Sequence, residues 1–329
     1  MATTTPTNVD SSIPELWAKL TLRDMLRAGF WSSKSGAEGS RSALITASDL
    51  LNNPGDTVHI QITNPLVGAG VAGDVTALET NEENLATSEM KVIPLLYRHG
   101  VRSYTRAQKK SIVDLRMEAK MRLAEWGQEK MDDVRFANFS QLTGAINGET
   151  YTAIARSAGG GTGVPADIAA GDHITVSELQ KTKLNLYNNR ALPLKSSDGQ
   201  DFYAAVCHPN SVYNLKREAE YRDWVKDAEV RGAGNPFFVG ATAMIDGVLI
   251  FQHNNVVTAA DGAASIAVSR NIVFGAEAFV EGLDENVSWA EDTFDYGNQF
   301  GIAYGFAFQP RRALAKNSII VLADAVAIA

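Results

Sequence analysis

Apolar positions along the chain change their period several times, and each change marks an element. Over residues 13–30, Leu16, Trp17, Leu20, Met25 and Leu26 share one face of a short amphipathic helix. The run Ser32-Ser-Lys-Ser-Gly-Ala-Glu-Gly-Ser40 that follows is flexible by composition. Asn52-Asn-Pro-Gly55 reads as a turn. Beyond it Val58, Ile60 and Ile62 alternate with Thr57, His59 and Gln61, the period-two pattern of a half-buried strand. Residues 64–90 are rich in Gly, Thr, Asn and Glu, carry no helical stripe, and are closed by a second strand-like run over 91–97. Two strands around so long a polar excursion predict an extended hairpin projecting from the body. Irregular segments of that length are either functional or disordered.

The strongest helical stripe runs over 111–139, where Ile112, Leu115, Ala119, Leu123, Trp126 and Val134 align and Ser111 and Asp114 can cap the start. About 28 residues at 1.5 Å each make a spine of about 40 Å, suited to lie along a sheet or act as a strut. Residues 157–165 read as a flexible loop, 176–187 as a helix, and 201–208 as a buried strand that Pro209-Asn210 stops. A helix over 211–227 follows, and strands are expected at 247–258, 264–279, 300–308 and 318–328. The class is α+β, with one spine helix and an antiparallel-rich second half.

Composition narrows the function. The 329 residues are 45% hydrophobic and 21% charged, ordinary for a globular chain with room for two domains. A formal net charge of −8 argues against nucleic acid as the principal ligand, because phosphate contact needs a surplus of Lys and Arg. The charge is uneven: residues 91–135 hold eleven Lys or Arg against six acids, whereas residues 232–309 hold nine acids and a single cation, Arg270. Such an imbalance serves solubility, or lets the basic face of one copy meet the acidic face of the next. The N-terminus has neither a basic flank nor an apolar stretch, so no secretory signal is expected. The most apolar run, 318–329, is too short to cross a membrane.

Candidate chemistry is sparse. Cys207 is the only cysteine, which argues against a disulfide or a thiolate zinc site. Cys207 and His208 are neighbours on a strand and point to opposite faces, so they do not form a nucleophile–base pair. His59, His99, His173, His208 and His253 are scattered without metal-ligand spacing. The glycines of 159–163 are not followed by Gly-Lys-Ser/Thr, which favours a linker over a phosphate loop. No catalytic residue, cofactor or metal is expected. Trp17, Phe30 and Trp31 sit on a segment with little core of its own, so they pack back on their own chain or cover a neighbour. Arg98, Arg102 and Arg106, with Lys109 and Lys110 and interleaved Tyr97 and Tyr104, form a basic cluster leading into the spine. At a helix N-terminus that charge opposes the macrodipole and asks for an acidic partner. Subunit pairing and a solvated surface rank level, with nucleic-acid contact below them. Trp17, Phe30, Trp31, Arg98, Arg102 and Arg106 are the candidate inter-subunit contacts.

In order and spacing these features resemble the HK97-like major capsid proteins of tailed bacteriophages, most of all the N4-like branch. The resemblance covers nearly the whole chain. It rests on the spine's Asp114-Leu-Arg, Ala119, Leu123-Ala-Glu-Trp126, Asp133 and Phe136, and on Val206-Cys-His-Pro209 with the helix behind it. Gly247-Val-Leu-Ile-Phe251 and 300–312, ending in Gln-Pro-Arg-Arg, complete it. The resemblance implies an N-terminal arm (1–55), an extended loop (56–100) and a peripheral domain with the spine (101–200, helix about 111–139). It further implies an axial domain (201–265), strands returning to the peripheral domain (266–315) and a C-terminal axial strand (316–329). Such a subunit is not an enzyme; it builds hexamers and pentamers of an icosahedral shell around double-stranded DNA, assembled in the host bacterial cytoplasm. Portal, decoration or cement proteins are implied partners. Because the arm is short where some relatives carry a cleaved scaffolding segment, a separate scaffolding protein is implied too. Removal of residues 1–41 is expected to leave a folded body that assembles poorly. An encapsulin-like compartment shell and, more remotely, an α+β hydrolase or carbohydrate-binding protein stay open as alternatives.

Overall fold

The computed structural model describes residues 29–37, 40–47, 57–63, 66, 68, 70–72, 79, 82–84, 87–111, 114–146, 149–195, 200–223 and 243–326. A turn of 3-10 helix, Phe30–Lys34, leads into β1 (Ser35–Gly36) and β2 (Leu44–Ala47). The hairpin strands β3 (Val58–Thr63) and β4 (Thr87–Val92) follow, then β5 (Leu95–Tyr104), a short helix α1 (Thr105–Lys110) and the spine α2 (Leu115–Phe139). Next come β6 (Thr143–Ile146), β7 (Glu149–Thr152), β8 (Ile154–Ser157), α3 (Val176–Asn188), β9 (Leu194–Lys195), β10 (Asp201–Cys207) and α4 (Pro209–Arg217). The second half is strands: β11 (Ala243–Ile245), β12 (Val248–Gln252), β13 (Thr258–Ala259), β14 (Val268–Phe274), β15 (Phe279–Phe294), β16 (Gln299–Arg312) and β17 (Ser318–Asp324).

The strands form two main sheets. The first has the order β1-β2-β15-β16-β5; the second follows β11-β12-β10-β14-β17-β8, with β9 and β13 attached at its margins. β3 with β4 and β6 with β7 are separate hairpins. In the second sheet β10 buries both faces, which is why its sequence is a continuous apolar run. Tyr203, Ala205 and Cys207 join the core under α3 and α4. Ala204 and Val206 face the other way, into a core shared with Trp31 and Phe136. In the first sheet, Ile302, Tyr304, Phe306 and Phe308 of β16 pack on Ala119, Leu123, Met131 and Val134 of the spine.

Local chemistry explains the element ends and corrects several expectations. The spine starts at Leu115, not at residue 111, because the Asp114 carboxylate accepts the Arg116 N–H and caps it there. Lys109 and Lys110 end α1 instead of opening the spine, so their charges favour that helix's carbonyl terminus. Gln108 bridges the two helices, accepting from the Leu115 N–H and donating to Asp114. α3 begins as expected, with Thr175 accepting from the Glu178 N–H. α4 begins at Pro209 and breaks at Glu218, which turns extended; helix resumes over 219–223, and residues 224–227 of the expected helix lie outside the described residues. β15 went unread in the sequence. Its acids hide the alternation: Glu281 is buried, and the pairing with β16 shifts register between Asp284 and Ser288. The glycine loop is a built turn and not a linker. The Asp167 carboxylate accepts N–H bonds from Thr162 and Val164 and hydroxyl bonds from Thr162 and Ser157, which hold its pKa below the usual range. At Gly161, φ is +145° and a Cβ would lie 2.6 Å from Asp167, so only glycine fits.

The two sheets meet at a joint around the C-terminal half of the spine. Trp31 is fully buried there, its ring within 5.5 Å of those of Phe136, Phe139, Phe274 and Phe279. Phe274 ends β14 of one sheet and Phe279 begins β15 of the other. Beside them Arg135 Nε donates to Glu281 at 2.9 Å and its Nη2 to the other carboxylate oxygen at 3.2 Å. Asp132 lies 3.4 Å from Arg135 Nη1 and accepts the Phe30 N–H at 3.0 Å. Thr46 donates to Glu281 from β2. Arg135, Glu281 and Asp132 are all nearly inaccessible to water. Glu281→Leu therefore leaves a buried guanidinium with only the longer Asp132 contact, and a loss of roughly 3–5 kcal/mol is expected. Trp31→Ala removes the plug itself, at a cost of about 3–5 kcal/mol. Urea unfolding of dissociated subunits measures both; a midpoint unchanged in either variant contradicts the assignment.

Candidate assembly surfaces

β5 is the last strand of its sheet, paired with β16 on one side and with no described strand on the other. Alternation divides its side chains between two faces. Tyr97 and Val101 pack toward the spine, and His99 lies 4.9 Å from the Trp126 ring. Arg98 and Arg102 stand on the opposite face, both exposed, with Arg106 exposed on α1. Arg102 lies 3.8 Å over the Phe294 ring. Among the described residues none of the three arginines has an ion-pair partner. Leu95, Leu96 and Tyr104, each more than half exposed, complete an unpaired ten-residue edge that is both basic and apolar.

The hairpin roots on the same sheet. Val58 and Val92, directly paired across β3 and β4, are buried with Ala47. Gly282 of β15 makes room for them: a Cβ there would sit 3.1 Å from Val92 and 3.3 Å from Val58. Arg311 donates to the Lys91 carbonyl at 2.9 Å and pins the root. Farther out, His59 pairs with Glu89 across the strands, and that hydrogen bond holds the Glu89 carboxyl below its ordinary range. Most of the excursion between the strands lies outside the described residues. Pro94 stands in the break that separates β4 from β5.

The structure scatters the remaining candidates. Trp17 lies outside the described residues. Phe30 and Trp31 take the reading in which the chain covers its own aromatics, since both pack in the joint. Removal of residues 1–41 would consequently extract Trp31 from the core, so an arm deletion that spares the body must stop before Gly29. Cys207 is fully buried and desolvation pushes its thiol up to about 12. His208 serves as N-cap of α4, its Nδ1 accepting the Asn210 N–H. No cluster of His, Cys, Asp or Glu able to hold a metal occurs among the described residues. No helix among them is long and apolar enough to cross a membrane. Much of the acidic second half is answered inside the chain, through Arg116–Glu291, Arg135–Glu281, Lys183–Asp246 and Arg270–Asp261. Arg135 and Glu281 stand 146 positions apart, and no spacing in the sequence signals their pairing.

Comparison with known proteins places the whole chain in a family. Residues 17–312 match the family model described as phage capsid protein. The chain belongs to the phage capsid protein family. A major capsid protein of Pseudomonas phage KPP25 is 26% identical over 279 residues, 74% of either chain. The capsid of Ralstonia phage GP4 superposes with a TM-score of 0.76 at 22% identity, over 91% of each chain. The capsid asymmetric unit of cyanophage Pam1 gives 0.73 at 16%, over 91% of this chain and 93% of that one. The fold is thus the HK97-like α+β capsid fold that the order of elements led one to expect, and the chain is a phage major capsid protein with a structural role. In that setting Cys207 is a packing residue. Thiol reagents at pH 8 should leave it unmodified in the native subunit and label it fully in denaturant; rapid native labelling would contradict its burial.

Proposed function

We propose that the subunit assembles into hexamers and pentamers of an icosahedral shell that encloses the double-stranded DNA of a tailed phage, within the host cytoplasm. The observation that carries the reading is the β5 edge, where Arg98, Arg102 and Arg106 have no acidic partner among the described residues while main-chain donors and acceptors face outward. A neighbour supplying carboxylates and a strand would satisfy both, by ion pairing and β-strand addition. The projecting hairpin and Trp17 of the arm are further contacts with neighbours in this reading. A separate scaffolding protein, a portal and a decoration or cement protein are the expected partners. The acidic net charge suits a wall that repels the phosphates it encloses.

Electron micrographs of the purified chain under assembly conditions should show closed shells or hexameric capsomers, and a strictly monomeric species under all conditions would count against the reading. The triple variant Arg98→Glu, Arg102→Glu, Arg106→Glu should assemble less, with a deficit that depends on ionic strength because screened charges matter less at high salt. Assembly indistinguishable from the parent chain at every salt concentration would place these arginines on a merely solvated surface.

A further inference from the structure

The segment that follows β17 lies against α4 and is held there by side-chain amides. Asn210 Nδ2 donates to the Ala325 carbonyl and Asn214 Nδ2 to the Val326 carbonyl, both at 2.8 Å. The two asparagines are one turn apart on α4, so both amides reach the same strap of chain. Asn214 Nδ2 also lies 2.9 Å from Nδ1 of His173, in the loop that leads into α3. The Val326 carbonyl fixes the orientation of that amide, because turned the other way its oxygen would face the carbonyl oxygen. The second N–H of Asn214 therefore points at Nδ1. That nitrogen is the bare acceptor of a neutral imidazole, whose proton sits on Nε2.

A second partner stands beside the same nitrogen. Asp324 Oδ2 is 4.0 Å from His173 Nδ1. That carboxylate is buried and accepts the N–H groups of Gly171 and Val326. Other charged groups on the elements packed around His173 are Asp172 on its own loop, Lys216 and Arg217 at the end of α4, and Glu218 beyond it. The Glu218 carboxylate accepts the Val176 N–H at the start of α3. His208 and His253 also accept on Nδ1, from the N–H groups of Asn210 and Asn255, but among the described residues neither is ion-paired. Imidazoles take up a proton as pH falls through about 6.5. A proton on His173 Nδ1 would meet the Asn214 N–H donor against donor. The Asp324 carboxylate, by contrast, needs an approach of only about 1 Å to accept a charge-assisted hydrogen bond. We infer that His173 is a proton-operated latch: neutral, it accepts from Asn214 and ties its loop to α4; protonated, it lets Asn214 go and binds Asp324 at the end of β17. The proton comes from solvent, which reaches the ring at 19% side-chain exposure. The latch lies within one chain, so it works in the free subunit and is repeated in every copy of an assembly.

Deuterium exchange at the imidazole Cε1 of His173, followed by mass spectrometry of the full-length chain at a series of pH values, gives the ring's titration midpoint. Asn214→Ala removes the donor that favours the neutral ring and should raise that midpoint. Asp324→Asn removes the carboxylate that favours the charged ring and should lower it, each shift being roughly one pH unit. Opposite displacements are the signature of a ring held between the two groups, which a merely packed histidine does not give. Any other pattern overturns the inference. Backbone amide exchange over 209–217 reads the conformational step without touching either partner. Corrected for intrinsic rates, it should quicken severalfold in the parent chain as pH falls through the midpoint and stay flat in His173→Gln. Flat exchange in the parent chain, or the same quickening in His173→Gln, also overturns the inference. That comparison decides the matter even where a substitution at 214 or 324 prevents folding.

Discussion

Arg135 cannot sit where it does without Glu281. A guanidinium removed from water costs several kcal/mol unless its donors are met, and here two of them are met by one carboxylate in bidentate geometry. That requirement fastens the spine to β15. Asp132, one helical turn before Arg135, then takes the Phe30 N–H and sets Trp31 among rings from both sheets. The angle between the two sheets therefore depends on a small polar cluster and a single tryptophan. Both are anchored in the same stretch of helix.

The same bookkeeping of charge clarifies what the body leaves unmet. Four acids of the second half, Glu291, Glu281, Asp246 and Asp261, are paired with Arg116 and Arg135 of the spine, Lys183 of α3 and Arg270. The arginines on β5 and α1 are not. Among the described residues that basic, partly apolar sheet edge is an outward-facing demand, and a shell of identical copies is a setting that can meet it at every position. The hairpin is fixed at its root, where Val58 and Val92 are buried in the space left at Gly282.

In the sequence, the elements with a strong local signal were legible. Val58, Ile60 and Ile62 show a strand by alternation, residues 176–187 read as a helix, and residues 201–208 read as a buried strand. These depend on neighbours a few residues apart, and so does the order of elements that carries the family likeness. The spine's true start was misjudged because Ser111 and Asp114 are both competent caps, and only the packing of α1 and the Gln108 bridge select the second. β15 was missed for a related reason: Glu281 reads as solvent-facing until Arg135 is known to stand opposite.

By itself the sequence determined the α+β class, the hairpin and the existence of a spine, because periodicity, turn residues and composition act locally. Only the tertiary structure decided that Phe30 and Trp31 belong to the body, that the glycine loop is ordered around Asp167, and which charges remain unpaired. Those outcomes depend on residues brought together across 100 positions or more, as Phe30 and Asp132 are, or on backbone conformations stable only once a carboxylate is placed to accept from them. Pairing over such distances is set by the fold as a whole, and no spacing along the chain encodes it.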